Sequence, residues 1–330
     1  MTLRSGKYQL LRQFSASLLD RINSRRSKYY SHVVLYHSVA LETNDTNSIS
    51  KHNVHPDIFY KQIRWLKSNF DVIKIDEFLQ LDDFSGKAAI TFDDGYPSVF
   101  QYAIPLLNEL NLPATVFLNG CFVENKPFWR NAINYIESHG YKDKFYAFLA
   151  SKYNYSLSKE KSLYKESKKY VHDSSLMATA ANEYLKSINI SINTPNVDIM
   201  ELIKSISGNK NITYGNHTYH HYVLSSIPLD RQKWEIEYNA ELLERNDLDL
   251  SLIFSIPFGG RNDFNEETLR CICDAGYKGI LTSRQTINGR EPDYINIGTG
   301  NRLLTLDRYM PPNDYLQFQR QVYRYTSHTN

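Results

Sequence analysis

Two short stretches of this sequence hold side chains able to do chemistry together. Asp93 and Asp94 stand in Thr91-Phe92-Asp93-Asp94-Gly95-Tyr96, adjacent carboxylates after an apolar run and before a glycine. Far downstream, His217 and His221 stand four residues apart in His217-Thr218-Tyr219-His220-His221. One carboxylate and two imidazoles make a three-ligand site for a divalent cation, with room left for water and substrate. The other carboxylate is then free to act as a base on water. A bare Asp-Asp-Gly is more often a solvated turn, so it is the combination that carries the reading. The histidine spacing predicts both imidazoles on one face of a helical turn, with His220 off that face. Consecutive residues at a strand end predict that the two carboxylates reach different targets. Two histidines and one aspartate suit zinc first, and also cobalt, nickel, manganese or iron.

The elements around these motifs alternate between strand and helix. Val33 to Tyr36, Val72 to Ile75, Lys87 to Phe92, Ala114 to Leu118, Asn211 to Tyr214, Leu252 to Ile256 and Gly279 to Thr282 read as about seven buried strands. Helices are expected after Pro56, after Asp76 as a cap, and over Ala103 to Leu110, Leu229 to Leu243 and Glu266 to Ala275. Such β/α alternation implies a parallel sheet, whose strands present functional residues at their C-terminal ends. Asp93 and Asp94 fall at such an end. From about 131 to 206 the pattern turns Lys-, Tyr- and Ser-rich and helical, which reads as an inserted helical subdomain beside the cleft.

The paired motifs resemble those of the polysaccharide deacetylase family, the NodB-like carbohydrate esterases, over about Val33 to Pro311. The resemblance implies a distorted (β/α) barrel over 31–312. It also implies a metal-dependent hydrolase that removes an N-acetyl group from an amino sugar in a polysaccharide, oligosaccharide or lipid-linked precursor. By the same resemblance Asp94, His217 and His221 are the metal ligands, Asp93 is the general base, and Thr218 orients the histidine loop. Ser255-Ile256-Pro257-Phe258-Gly259 is similar to the family's Arg-x-Pro-x-Gly segment, with Ser255 where the arginine belongs. The Phe258 amide is then the expected oxyanion donor. Arg308, ahead of Arg261, is the expected replacement for the arginine that orients the base. The late histidine of many family members has only His328 as a counterpart. His37, at the end of the first buried strand, is therefore the expected general acid. An O-deacetylase, a deformylase or other amide hydrolase, and a non-catalytic carbohydrate-binding relative are the competing readings.

Bulk properties set bounds. The chain has 330 residues and a net charge of +2, enough for a large core and without the basic stripe of a nucleic-acid binder. Three cysteines make no disulfide framework. Residues 1–30 read as a basic amphipathic arm, with Leu10, Leu11, Phe14, Leu18, Leu19 and Ile22 among several Lys and Arg. Such an arm suits packing on a protein surface or peripheral contact with an anionic membrane. It lacks the continuous apolar stretch of a signal peptide, so a cytoplasmic location is expected. Residues 313–330 are expected as a C-terminal tail.

Overall fold

A computed structural model describes residues 28–41, 52–191, 197–206, 208–298 and 300–327. The expected arm lies almost entirely outside them, as does His328. Within them the strands are β1 (His32–Tyr36), β2 (Ser38–Val39), β3 (Asn53–Val54), β4 (Asp71–Val72), β5 (Lys87–Phe92), β6 (Ala114–Leu118), β7 (Ile212–Asn216), β8 (Ile253–Ser255), β9 (Gly279–Thr282), β10 (Asp293–Asn296) and β11 (Arg302–Asp307). One sheet runs β1-β5-β6-β7, with β4 paired to the start of β5; a second runs β10-β11-β9-β8; β2 and β3 form a small pair. Every pairing is parallel except β10 with β11. Isolated parallel bridges, Tyr214 to Leu250 and Val34 to Tyr309, link the two large sheets on both sides. The result is a mixed α/β fold built on parallel strands.

The strand sequences explain this arrangement. A parallel strand covered on both faces carries an unbroken apolar run rather than alternation. β1 (His-Val-Val-Leu-Tyr) and β6 (Ala-Thr-Val-Phe-Leu) are buried at every residue, and β5 at all but its first. β11 is the parallel strand that was not anticipated; its Leu303, Leu304, Thr305 and Leu306 are all buried. The expected strand at Val72 to Ile75 is shorter, because a 3₁₀ helix starts at Ile75. Asp76 lies inside that helix, whose N-cap is Lys74, and its carboxylate accepts the Leu252 N–H at 2.7 Å instead.

The helices are α1 (Pro56–Asn69), α2 (Ile104–Glu109), α3 (Gly120–Val123), α4 (Trp129–Ser138), α5 (Lys142–Tyr153), α6 (Leu163–Glu166), α7 (Ser174–Ser187), α8 (Ile199–Ser205), α9 (Leu229–Glu244), α10 (Glu266–Asp274) and α11 (Tyr315–Ser327). The helical region from α4 to α8 lies between β6 and β7, and these two strands pair directly from Ala114–Ile212 to Leu118–Asn216. The whole segment is thus one enlarged crossover. It has its own apolar contacts: Ala132, Ile133 and Ile136 of α4 and Met177, Ala180 and Ala181 of α7 are all fully buried. Each such side chain contributes roughly 0.8 kcal/mol per buried CH₂.

The stretch expected as a tail from 313 is instead mostly helix α11. Asp314 accepts the Gln317 N–H at 2.7 Å at its start. Phe318 and Val322 are fully buried, and Phe318 meets Trp65 of α1 edge-on at 5.4 Å. No described helix is long and apolar enough to cross a membrane.

Candidate active site and metal centre

The chemistry-bearing residues converge on one pocket at the C-terminal ends of the strands. His37 follows β1, Asp93 and Asp94 follow β5, His217 follows β7, Ser255 ends β8 and Arg308 follows β11. His37, Asp93, Asp94, His217, His221 and Phe258 line a pocket of about 150 Å³.

Asp94, His217 and His221 are buried, with one ligand atom from each within 4.8 Å of the others. Asp94 Oδ1 lies 3.7 Å from His217 Nε2 and 3.5 Å from His221 Nε2. Ligand atoms about 2.0–2.2 Å from a tetrahedral zinc stand roughly 3.4 Å apart, so the observed spacing fits a shared cation. Two atoms make the same point from the side of the protein. Asp94 Oδ1 and His217 Nε2 are enclosed and have no hydrogen-bond partner, a costly state for buried polar atoms unless something else satisfies them. His217 presents the right tautomer: its Nδ1 donates to the Ser255 carbonyl at 2.8 Å, leaving the Nε2 lone pair toward Asp94. Electrostatics agree. Burial, and then the neighbouring Asp93, raise the Asp94 carboxyl well above its ordinary range. Burial drives His221 well below the imidazole range, with His217 and Arg130 adding to the effect. Burial also lowers His217. An acid that resists losing its proton and bases that resist gaining one describe a ligand set arranged for a cation.

The local backbone differs from expectation at both motifs. His217 to His221 form no helical turn. Thr218 and His221 have positive φ, 65° and 62°, and the loop is held by side chains. Asn216 Oδ1 accepts the Thr218 N–H at 2.8 Å, and Thr218 Oγ1 accepts the His221 N–H at 3.0 Å. Thr218 is thus bonded into the loop on both sides. Asn119, after β6, donates to the His217 and Thr218 carbonyls. His220 turns away to Glu235, 2.6 Å from its Nδ1. At the diaspartate, strand alternation ends at Phe92. Asp94 has φ 72°, so its carboxylate faces the same pocket as that of Asp93 rather than the opposite side. Phe258 is likewise left-handed, at φ 62°. With Gln285, which also lines the pocket at φ 60°, five non-glycine residues lie in this strained region around one pocket, at a cost of order 1–3 kcal/mol each, a pattern associated with functional sites.

Asp93 is held differently from Asp94. Arg308, fully buried, forks onto it, with distances of 2.8 Å to Oδ1 and 2.7 Å to Oδ2. Ser255 Oγ donates to Asp93 Oδ1 at 3.0 Å and accepts from Arg308 at 2.8 Å. The position that lacks the motif arginine thus contacts the arginine supplied by β11. Arg261, the other candidate, is exposed. Burial alone would raise Asp93, but Arg308, then His217, more than offset it and bring its pKa to about 2. Asp93 is therefore an oriented carboxylate near neutral pH, with Oδ2 3.6 Å from His217 Nε2.

His37 lines the pocket, its Nδ1 buried without a partner and its ring 5.1 Å from that of His52. Burial, with His52, lowers its pKa well below the usual range. Phe258 packs edge-on against His221 at 4.4 Å. Among the described residues its backbone N–H donates to no protein acceptor. Sequence reading did not single out Arg130, Tyr164, Lys168 and His52, which also line the pocket. Three of these belong to the helical crossover and sit in no recognisable motif.

Comparison with known proteins follows this geometry. The sequence model of the polysaccharide deacetylase family matches residues 83–280, more than half of the chain. The chain belongs to the polysaccharide deacetylase family. Asp93, Asp94, His217, His221 and Phe258 lie within the matched span, and His37 and Arg308 outside it. No curated protein matches the chain. Among solved structures, the Streptococcus pyogenes deacetylase PplD, in complex with acetate, is similar at TM-score 0.53 and 14% identity, covering 90% of this chain and 98% of that one. A Bacillus cereus polysaccharide deacetylase is similar at TM-score 0.52 and 16% identity, covering 89% of this chain and 69% of that one. IcaB from Ammonifex degensii is similar at TM-score 0.52 and 14% identity, covering 90% and 97%. At these identities the likeness is one of fold.

Proposed function

We propose that this protein is a divalent-metal-dependent N-deacetylase of an amino sugar in a glycan or glycan precursor. The observation that carries the reading is the buried Asp94-His217-His221 cluster with two orphaned ligand atoms, beside a separate carboxylate fixed by Arg308. Asp94 Oδ1, His217 Nε2 and His221 Nε2 would hold the cation, zinc before cobalt, nickel, manganese or iron. When bound, such a cation supplies Lewis acidity toward an acyl carbonyl and acidifies water.

The chain's own groups do the rest. Asp93, ionised and clamped on both oxygens, takes the proton of the attacking water. The Phe258 N–H donates to the oxygen of the scissile carbonyl as it becomes anionic. His37, neutral by virtue of its burial, receives the proton that Asp93 has taken from the water and delivers it to the departing amine as the C–N bond breaks. The bridges on both sides of the two sheets support reading them as arcs of a distorted seven-stranded barrel, with β1, β5, β6, β7, β8, β9 and β11 as its staves.

Asp93→Asn tests the assignment. The variant keeps the ligand set, so metal content stays at the wild-type level while acetate release from N-acetylated oligosaccharides falls about 10²- to 10⁴-fold. Retained turnover removes Asp93 from the role. Formate release in place of acetate would move the substrate to a formamide.

A further inference from the structure

The wall that the helical crossover adds to the pocket is cationic in an unusual way. Arg130, second residue of α4, is buried and lines the pocket, yet no carboxylate among the described residues lies within ion-pair distance of it. Its Nη1 donates to Ser167 Oγ at 2.9 Å and its Nη2 to the Tyr164 carbonyl at 3.0 Å. Its Nε is enclosed and unpartnered. Aromatic rings fix the guanidinium plane, with Tyr164 at 4.1 Å, Trp129 at 4.6 Å and Phe258 at 5.2 Å. A buried cation with no ion-pair partner is costly to keep, and its ring contacts and the more distant Asp94 carboxylate offset that only in part.

The same wall continues outward. Tyr164, Lys168 and His52 line both the active pocket and a neighbouring groove. Lys161, Lys165 and Lys169 line that groove as well, with Glu160 as its acidic member. Lys169 is already paired, with Glu166 at 2.5 Å, while Lys161 and Lys165 are exposed. Lys168 Nζ sits 5.1 Å above the Phe258 ring, which itself contacts His221. A strip of positive charge thus runs from the candidate metal ligands to the surface.

We propose that this strip, from Arg130 through Lys168 to Lys165 and Lys161, binds an anionic substituent of the glycan, a phosphate ester or a carboxylate, close to the acetamide being cleaved. The inference deepens the deacetylase reading and rests on it for the position of the acetamide. A planar guanidinium with unused N–H groups suits either anion, and the lysines add unpatterned positive charge. The small net charge of the chain, +2, gives no sign of this strip.

The test compares three ligands on metal-loaded Asp93→Asn protein: N-acetyl chitotetraose, the same tetrasaccharide with a reducing-end phosphate ester, and its reducing-end carboxylate. Calorimetry should show the anionic forms binding about tenfold tighter at low salt, with the advantage shrinking in 0.5 M salt as the exposed lysines are screened. Lys165→Glu with Lys161→Glu, both exposed, should erode the advantage without altering affinity for the neutral ligand. Arg130→Gln should reduce what remains. A phosphate preference over carboxylate assigns the source to a phosphorylated glycan, and the reverse to a uronate. Equal binding of all three ligands, or an anion preference untouched by charge reversal, overturns the proposal. If wild-type protein releases acetate from the neutral ligand but shows no anion preference, only this inference fails. If anions are preferred and no acetate is released from any glycan, only the deacetylase reading fails.

Discussion

Replacing Arg308 by methionine removes the guanidinium that grips both oxygens of Asp93 while keeping an unbranched stem in a fully buried slot. Breaking a buried pair by removing one partner costs about 3–5 kcal/mol, since the other charge stays buried and uncompensated. The pH dependence has a definite sign. In the wild type the depressed Asp93 pKa, about 2, gives stability present above the ordinary carboxylate value and lost as pH falls toward 2. Without Arg308 the burial effect dominates and the Asp93 pKa rises above the ordinary 3.8. The folded variant then binds a proton more tightly than its unfolded chain and recovers stability as pH falls through the raised value. Denaturant unfolding of metal-free protein at pH 7 should therefore show the full deficit, and the gap to wild type should narrow on acidification toward pH 4. Acetate release should fall about 10²- to 10⁴-fold, as expected when a base is no longer aimed. Adding Asp93→Asn to the Arg308→Met background should cost less than the sum of the two changes. A deficit under about 1 kcal/mol, or a gap that widens at low pH, would refute the claim that this pair is the structural centre of the base.

Other expectations follow from the same contacts. Ser255→Arg places a second guanidinium beside Arg308 and should abolish turnover, whereas Ser255→Arg with Arg308→Ser should recover part of it in the acetate assay. Zinc at about 100 times its Kd should stabilise the wild-type protein by about 2.7 kcal/mol in denaturant melts, and His221→Ala should lose most of that increment. His37, His217 and His221 are all lowered from 6.5 by burial, so the unfolded chain takes up protons first. Metal-free protein should thus lose stability as pH falls below about 6.5, by up to about 1.4 kcal/mol per pH unit per histidine. Asp94, raised by burial, works in the opposite direction, so the test is made in Asp94→Asn protein, where a pH-independent unfolding free energy between 7 and 5 would contradict the burial of these imidazoles.

What the sequence disclosed follows from how local each signal is. The diaspartate and the histidine pair are each contained in a few residues, and the strands before them are unbroken apolar runs, so both could be placed without knowing the fold. The Asp94 left-handed turn was not legible, because left-handed φ at a non-glycine residue is imposed by surroundings and not by its own preference. Helix α11 was legible in principle: Tyr315, Phe318, Val322 and Tyr325 follow helical spacing after the cap at Asp314. The polar residues between these positions mask that signal. Strand β11 was the more consequential omission, since it delivers Arg308.

Arg308 shows where local reading ends. It lies 215 positions from Asp93, and the match reported for the family stops at residue 280. Nothing near Arg308 in sequence says that it faces a carboxylate. What made it findable was a deficit elsewhere: Ser255 stood where a guanidinium was needed, and a buried carboxylate poised as a base needs a cation from some direction. The crossover residues had no such deficit to point to them. Arg130, Tyr164 and Lys168 complete no motif, and only the folded wall reveals that a buried arginine there has aromatic rings around it and no ion-pair partner among the described residues. The two cases obey one rule. An unbalanced charge in a buried pocket implies a partner, and for Asp93 that partner is an ion-paired arginine within the chain, whereas Arg130 has only the more distant charge of Asp94.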